Sequence, residues 1–190
     1  MRVSRAQWLV LLPVLLSAGC RESARSEVQR KYDAPTAAAI AIETYDTNDD
    51  GELSAEEVKS SPALAVSGSR VDRNGDGTLT ADEIRTRMEA IDAQSDLIGL
   101  DVRVSFRNRP LVGAAVTLTP EPFMGEGLQA YTGITIEGGG CPLNGEKQSL
   151  PGVPVGFYQA TIVHEGNGIT LVRGCEIADD VTGNRLRFEL

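Results

Sequence analysis

The chain has 190 residues, 18 basic and 27 acidic side chains, and a formal charge of −9. That length suits one large domain or two small ones, and 41% hydrophobic with 24% charged residues marks a globular chain rather than a disordered or fibrous one. The acidic balance excludes nucleic acid as a partner, since phosphate contacts need clustered Lys and Arg. A single histidine excludes a multi-histidine zinc centre and leaves little for histidine-based catalysis.

The charge is uneven. Residues 33–96 hold fifteen acids and five bases; residues 97–190 hold ten acids, seven bases and fifteen of the twenty glycines. An acidic helical half followed by a Gly-rich β half gives an α+β chain in two domains, helical first and an all-β sandwich second. The expected divisions are a leader over 1–19, a tether over 20–34, a helical pair over 35–96 and the sandwich over 97–190.

In the leader, Arg2 and Arg5 precede the apolar run Trp8 to Leu16. The run is far short of the roughly 20 residues that cross a bilayer, so it has the form of a secretory signal. Ser17-Ala18-Gly19-Cys20 follows. Small residues before a cysteine resemble the lipobox of bacterial lipoproteins, with Ser17 standing where Leu is usual. The resemblance implies that Cys20 is acylated (palmitate among its chains) and becomes the N-terminus of a protein on a cell-envelope membrane, facing periplasm or exterior. An ordinary cleavage site with a chance cysteine is the alternative. Residues 21–34 lack an apolar stripe and suit a solvated tether. With Cys20 consumed, Cys141 and Cys175 remain as an even pair in an exported chain, which predicts a disulfide worth roughly 3–4 kcal/mol; two buried free thiols are the alternative.

Two segments of the acidic half carry chemistry. Asp46-Thr-Asn48-Asp-Asp50-Gly51-Glu52-Leu53-Ser54-Ala-Glu-Glu57 and Asp72-Arg-Asn74-Gly-Asp76-Gly77-Thr78-Leu79-Thr80-Ala-Asp-Glu83 both fit D-x-[DN]-x-[DN]-G-x5-E, the EF-hand calcium loop. A hard cation of this size takes six to eight oxygens at about 2.3–2.6 Å. Side chains at positions one, three and five supply oxygens as the backbone curls, and the sixth residue makes a turn that glycine makes cheaply. The carbonyl at position seven (Glu52, Thr78) and a bidentate carboxylate at position twelve (Glu57, Glu83) complete each set. Ser54-x-x-Glu57 and Thr80-x-x-Glu83 are also helix capping boxes, but a cap needs no Asp-x-Asn-x-Asp-Gly upstream. Two calcium ions are expected; magnesium, which prefers strict six-fold geometry, is the weaker competitor.

Around the loops, helices are expected over 37–45, with Ile42 and Tyr45 on one face, over 63–71 behind the cap and first position Ser61-Pro62, and over 81–93, with Ile84, Met88 and Ile91 at i, i+4 and i+7. Gly68 between two serines weakens the second of these. Leu53 and Leu79, both at position eight, are expected to face each other. Residues 35–96 resemble the compact EF-hand pairs of secreted bacterial proteins.

From residue 97 the period changes to two. Strands are expected at 101–106, 116–119, 131–137, 156–164, 169–172 and 185–190, with Glu165-Gly166-Asn167-Gly168 as a hairpin turn. Six short strands with Gly/Pro turns predict a sandwich. Arg109-Pro110-Leu111-Val112-Gly113-Ala114-Ala115-Val116-Thr117-Leu118 and Leu150-Pro151-Gly152-Val153-Pro154-Val155-Gly156-Phe157-Tyr158 resemble the strand-and-turn phrases of carboxypeptidase regulatory-like, transthyretin-like domains. The resemblance implies a non-catalytic spacer or interaction module. The same fold hosts hydroxyisourate hydrolases, which rely on several histidines; this chain offers only His164. Gly138 to Gly140 is expected to form a flexible loop, and Asp179-Asp180 a turn or an incidental acidic patch. The expected function is a lipid-anchored, exported, non-catalytic calcium-binding protein that holds an envelope or surface protein. A dockerin-like module, docking through the calcium pair itself, is the alternative; a hydrolase is the remote one.

Overall fold

The computed structural model describes residues 32–93, 97–146, 152–181 and 185–190. The leader, Cys20, most of the tether and Leu150-Pro151 lie outside the described residues. Helix α1 (Ala34–Tyr45) leads to the two-residue strand β1 (Glu52–Leu53) and a 3-10 turn (Glu57–Ser60). Then come α2 (Pro62–Val71), β2 (Leu79–Thr80) and α3 (Ala81–Asp92). The strands that follow are β3 (Leu97–Ile98), β4 (Asp101–Phe106), β5 (Arg109–Pro110), β6 (Ala115–Pro120), β7 (Tyr131–Ile134) and β8 (Asn144–Gly145), then β9 (Val153–Pro154), β10 (Gly156–His164), β11 (Ile169–Ile177) and β12 (Arg185–Glu189).

The helices start where local chemistry says they should. The Asp33 carboxylate caps α1 by accepting the Thr36 N–H, the Ser61 hydroxyl accepts the Leu64 N–H ahead of Pro62, and Thr80 and Glu83 close a reciprocal capping box on α3. Each of α1 and α2 runs straight into the first aspartate of a loop, whose N–H still bonds back into the helix. On α1 the buried stripe is Ala37, Ala38, Ala41 and Tyr45; Ile42 is only half-buried. The alanines let α1 pack closely on α3, whose Ile84, Met88 and Ile91 are fully buried as their spacing predicts.

The β half consists of an antiparallel five-stranded sheet in the order β11-β10-β6-β7-β8 and a three-stranded sheet β12-β4-β5 in which β12 runs parallel to β4. One core lies between them, built from Val102, Val104 and Phe188 on one side and Val116, Leu118, Tyr131, Tyr158, Ala160 and Ile162 on the other. Strand alternation therefore points Tyr158, Ala160 and Ile162 of β10 into the sandwich. The intervening Phe157 points the opposite way and joins Phe123, Met124 and Ala178 in the core of the helices.

That second core joins the two halves. The expected boundary near residue 96 separates helices from strands along the chain but not in space: α1, α2 and α3 form a third layer over one end of the five-stranded sheet. Tyr45 meets Phe123 edge-on at 6.3 Å, and Phe123 meets Phe157 at 5.7 Å. Helix α2 crosses β11 so closely that a Cβ on Gly174 would overlap the Pro62 carbonyl. Gly68, expected to weaken α2, makes no close contact; the small residue that lets α2 dock is Gly174 on β11. Ser67, fully buried, makes no hydrogen bond through its hydroxyl.

Two expectations are corrected here. Cys141 and Cys175 are free thiols, both buried, and not a disulfide. Cys175 sits on β11 with its thiol 3.6 Å from the Tyr158 carbonyl, while Cys141 bonds through its N–H to Val102 and lies beside Gly133 of β7. Strands β10 and β6 intervene, so three strand spacings, about 14 Å, separate β11 from β7, about twice the bridging limit for Cα atoms. Nor is Gly138 to Gly140 a loose loop. It forms a 3-10 turn over Glu137–Gly139 and an isolated bridge to Arg103, packed against Val104 and Pro110.

Candidate metal centre

The two loops are built on one pattern, with a difference at the first aspartate, which accepts from position three in one loop and from position four in the other. In the first, Asp46 accepts the N–H groups of Asn48 (3.2 Å) and Gly51 (2.8 Å), Asn48 Oδ1 accepts that of Asp50 (2.9 Å), and Asp50 Oδ1 that of Glu52 (3.0 Å). In the second, Asp72 accepts from Gly75 (2.7 Å) and Gly77 (3.0 Å), Asn74 Oδ1 from Asp76 (2.8 Å), and Asp76 Oδ1 from Thr78 (2.9 Å). These short side-chain-to-backbone bonds curl each loop. Position six has φ +88° in both, at Gly51 and Gly77, and position four is left-handed in both, at Asp49 and Gly75. A side chain at position six would be strained there, which explains the glycine.

Position twelve is held by its own loop. Glu57 Oε1 accepts the Thr47 N–H and hydroxyl, each at 2.8 Å, and Oε2 accepts the Ser54 N–H (2.9 Å) and hydroxyl (2.7 Å). Glu83 accepts the N–H groups of Arg73 (3.1 Å) and Thr80 (3.1 Å) and the Thr80 hydroxyl (2.9 Å) in the same way. Hydrogen bonds to the ionised form, from Ser54 first and then Thr47, push the Glu57 carboxyl down to about 2. The Thr78 N–H and hydroxyl, followed by the Asn74 amide, also hold Asp76 below its usual range. These donors are anions at any ordinary pH, as a hard cation requires.

The loops are tied to each other. Leu53 pairs with Leu79 and Glu52 with Thr80 across β1 and β2, and the Thr78 hydroxyl bonds the Glu52 carboxylate at 2.9 Å. The position-eight leucines thus face each other, as expected, and both are buried. Among the described residues no three His, Cys, Asp or Glu side chains converge into a ready metal cage. The loop carboxylates are oriented by backbone N–H groups, and two of the five donors of each loop are an amide and a main-chain carbonyl. The set still fits calcium. It consists of oxygens alone, it is duplicated in chemistry and position, and its curvature is already in place.

The residues that sequence reasoning missed are those anchoring the loops to the sheet. Two glutamates of the β half are almost fully buried, and each grips the flanks of one loop. Glu121 accepts the Tyr45 hydroxyl (3.3 Å), from the residue before Asp46, and the Ala63 N–H (2.8 Å) at the start of α2; Gln159 gives it a third bond at 2.9 Å. Glu176 accepts Nε–H from Arg70 and from Arg87, each at 2.6 Å, and Arg87 also pairs with both oxygens of Asp180 at 2.7 and 2.8 Å. Arg70 precedes the ligand Asp72 by two residues, and Arg87 follows Glu83 by one helical turn. Asp180 is thus part of this anchor and not an incidental acid. An acid inside an apolar strand, as in Cys175-Glu176-Ile177, is the only signal that could have flagged Glu176. His164 caps its own hairpin turn, its Nδ1 accepting the Asn167 N–H at 3.1 Å.

The EF hand family matches residues 39–60 and 69–88, which span the two loops and part of the helices that flank them. The loops are an EF-hand calcium-binding pair. Searches of curated proteins and of solved structures found no match to the chain.

Proposed function

We propose that this is an exported, lipid-anchored calcium-binding protein without catalytic activity, in which an EF-hand pair is fixed to a transthyretin-like sandwich that contacts an envelope or surface partner. The observation that carries it is the repetition of Asp, Asn, Asp and Glu at positions one, three, five and twelve of two loops curled on the same pattern and joined at position eight. One ion would be held by Asp46, Asn48, Asp50, the Glu52 carbonyl and Glu57, the other by Asp72, Asn74, Asp76, the Thr78 carbonyl and Glu83. Bound calcium supplies the positive charge that offsets the clustered carboxylates. The chain's own part is to curl the loops, keep Glu57 and Asp76 ionised and tie the flanking helices to the sheet through Glu121 and Glu176. The anchor rests on Arg2, Arg5, the short apolar run and Ser17-Ala18-Gly19-Cys20. Docking through the calcium pair itself has less support, because the start of α2 is already packed onto β11 at Gly174.

Calorimetric titration tests the calcium assignment. Two ions per chain are expected, and Glu57→Gln and Glu83→Gln should each abolish or severely weaken one site by removing the position-twelve carboxylate. Unchanged stoichiometry in both variants would overturn it.

A further inference from the structure

The five-stranded sheet ends on β11 and the three-stranded sheet ends on β12. These edges border one groove of about 460 Å³, whose third wall is α2 through Val66 and Arg70. Among the described residues nothing pairs with the outer side of either strand, so alternate N–H and C=O groups along both are open. From Gly174 onward β11 is covered by α2 and buried, which leaves residues 169–173 as its accessible edge.

The groove differs in charge from the rest of the molecule. The chain carries −9 overall, yet the groove is lined by four arginines and only two glutamates, Glu176 and Glu189. Arg70 is paired with Glu176 and Arg187 with Asp101, while Glu189 keeps its negative charge as it accepts from the Ser105 hydroxyl and the Asn108 N–H. Among the described residues Arg173 donates only to the Val172 carbonyl, and Arg185 has no carboxylate partner. At physiological salt the distant negative charge is screened beyond about 8 Å, so a ligand in the groove meets the local arginines. Apolar surface lies between them at Val66, which is 48% exposed, and at Leu171 and Leu186.

We propose that this groove receives an extended acidic segment of a partner protein, which adds as a strand to residues 169–173 of β11. Carboxylates of the segment meet Arg173 and Arg185, and its apolar side chains cover Val66 and Leu186. Main-chain hydrogen bonds supply affinity and the arginines select sign. A second copy of this chain is disfavoured as occupant, because edge-to-edge pairing of β11 with itself brings a second set of the same arginines to the groove and no carboxylate to meet Arg173 and Arg185. The proposal rests on the β half being an interaction module and names the surface and partner chemistry it uses.

The test uses the calcium-loaded folded chain and a fluorescein-labelled decapeptide of alternating Glu and Val. Saturable anisotropy is expected, with backbone amides of 169–173 protected from hydrogen exchange. Arg173→Glu with Arg185→Glu should weaken binding at least tenfold and leave calcium stoichiometry unchanged. A decapeptide of alternating Lys and Val, or the Glu/Val peptide with alternate amides N-methylated, should bind at least tenfold more weakly. Absence of saturable binding at millimolar peptide, equal binding of either control, an unaffected double variant, or protection elsewhere would each sink the proposal. Calcium measured in the same samples keeps the two readings apart: a chain that binds two ions but no peptide loses the groove and keeps the calcium pair.

Discussion

Replacing Glu176 by Gln asks whether the sheet and the second calcium loop are energetically one system. The Glu176 side chain is completely buried and accepts a guanidinium N–H from α2 and another from α3, each at 2.6 Å. Glutamine keeps the shape and removes the charge. Charge-assisted bonds of this kind contribute about 1.5–3 kcal/mol each, and breaking a buried pair costs roughly 3–5 kcal/mol. Arg87 keeps its two bonds to Asp180, and the Arg70 side chain is 35% exposed, so both cations retain some compensation. A loss of about 3 kcal/mol follows, at the low end of that range.

The informative quantity is how that loss changes with calcium. Arg70 and Arg87 sit beside the first and twelfth ligands of the second loop, so the Glu176 anchor holds Asp72 and Glu83 at a set separation before an ion arrives. Without it, binding must also order the two helix ends, and preorganisation is lost. Urea unfolding of wild type and Glu176→Gln, each with calcium and with chelator, completes a cycle. We expect the variant to lose about 1–3 kcal/mol more in calcium than in chelator, seen in titration as a roughly 5- to 150-fold weaker second site with the first site little changed. Helical and strand signals should fall in a single transition, because Phe123 and Phe157 are shared. A loss equal in both conditions within about 0.5 kcal/mol would refute the linkage.

Gly174→Ala should destabilise the fold by roughly 3 kcal/mol or more, measured by urea unfolding, because its Cβ would overlap the Pro62 backbone and push α2 off β11. Thiol alkylation at pH 8 should be very slow in native protein and should reach both Cys141 and Cys175 in denaturant without reductant; an unreactive pair in denaturant would restore the disulfide. Burial pushes the Cys141 thiol up to about 11, and the thiol of Cys175 and the hydroxyl of Tyr45 up to about 12, with Glu121 adding to both of the latter. These groups stay protonated in the fold after they ionise in the unfolded chain, so stability should hold below about pH 9 and fall between pH 9 and 12, which pH-dependent unfolding will show. Cys20→Ser should release the protein from membranes or leave it unprocessed; mature wild type without lipid mass on its N-terminus would remove the anchor.

How legible each part was follows the range of the interactions that made it. The calcium loops could be read because their constraints are local: Asp46 to Gly51 and Asp72 to Gly77 are five-residue hydrogen bonds, and Ser54 to Glu57 and Thr80 to Glu83 are three-residue ones. The strands 101–106 and 156–164 were equally plain, since each alternates in its own side chains. The short pairings of β3 with β9 and β4 with β5 could not be seen, because two residues carry no period. Nor could the third layer. In sequence, Phe157 and Tyr158 are two apolar neighbours, and only the pleat divides them between two cores. Glu121 and Glu176 could not be placed either, since nothing within ten residues of either announces the helix ends they hold. The disulfide expectation erred for the same reason: counting cysteines gives parity but not distance. A chain whose composition splits cleanly at residue 96 can still fold as one body when two buried carboxylates and one glycine on the far side of the split receive the helices.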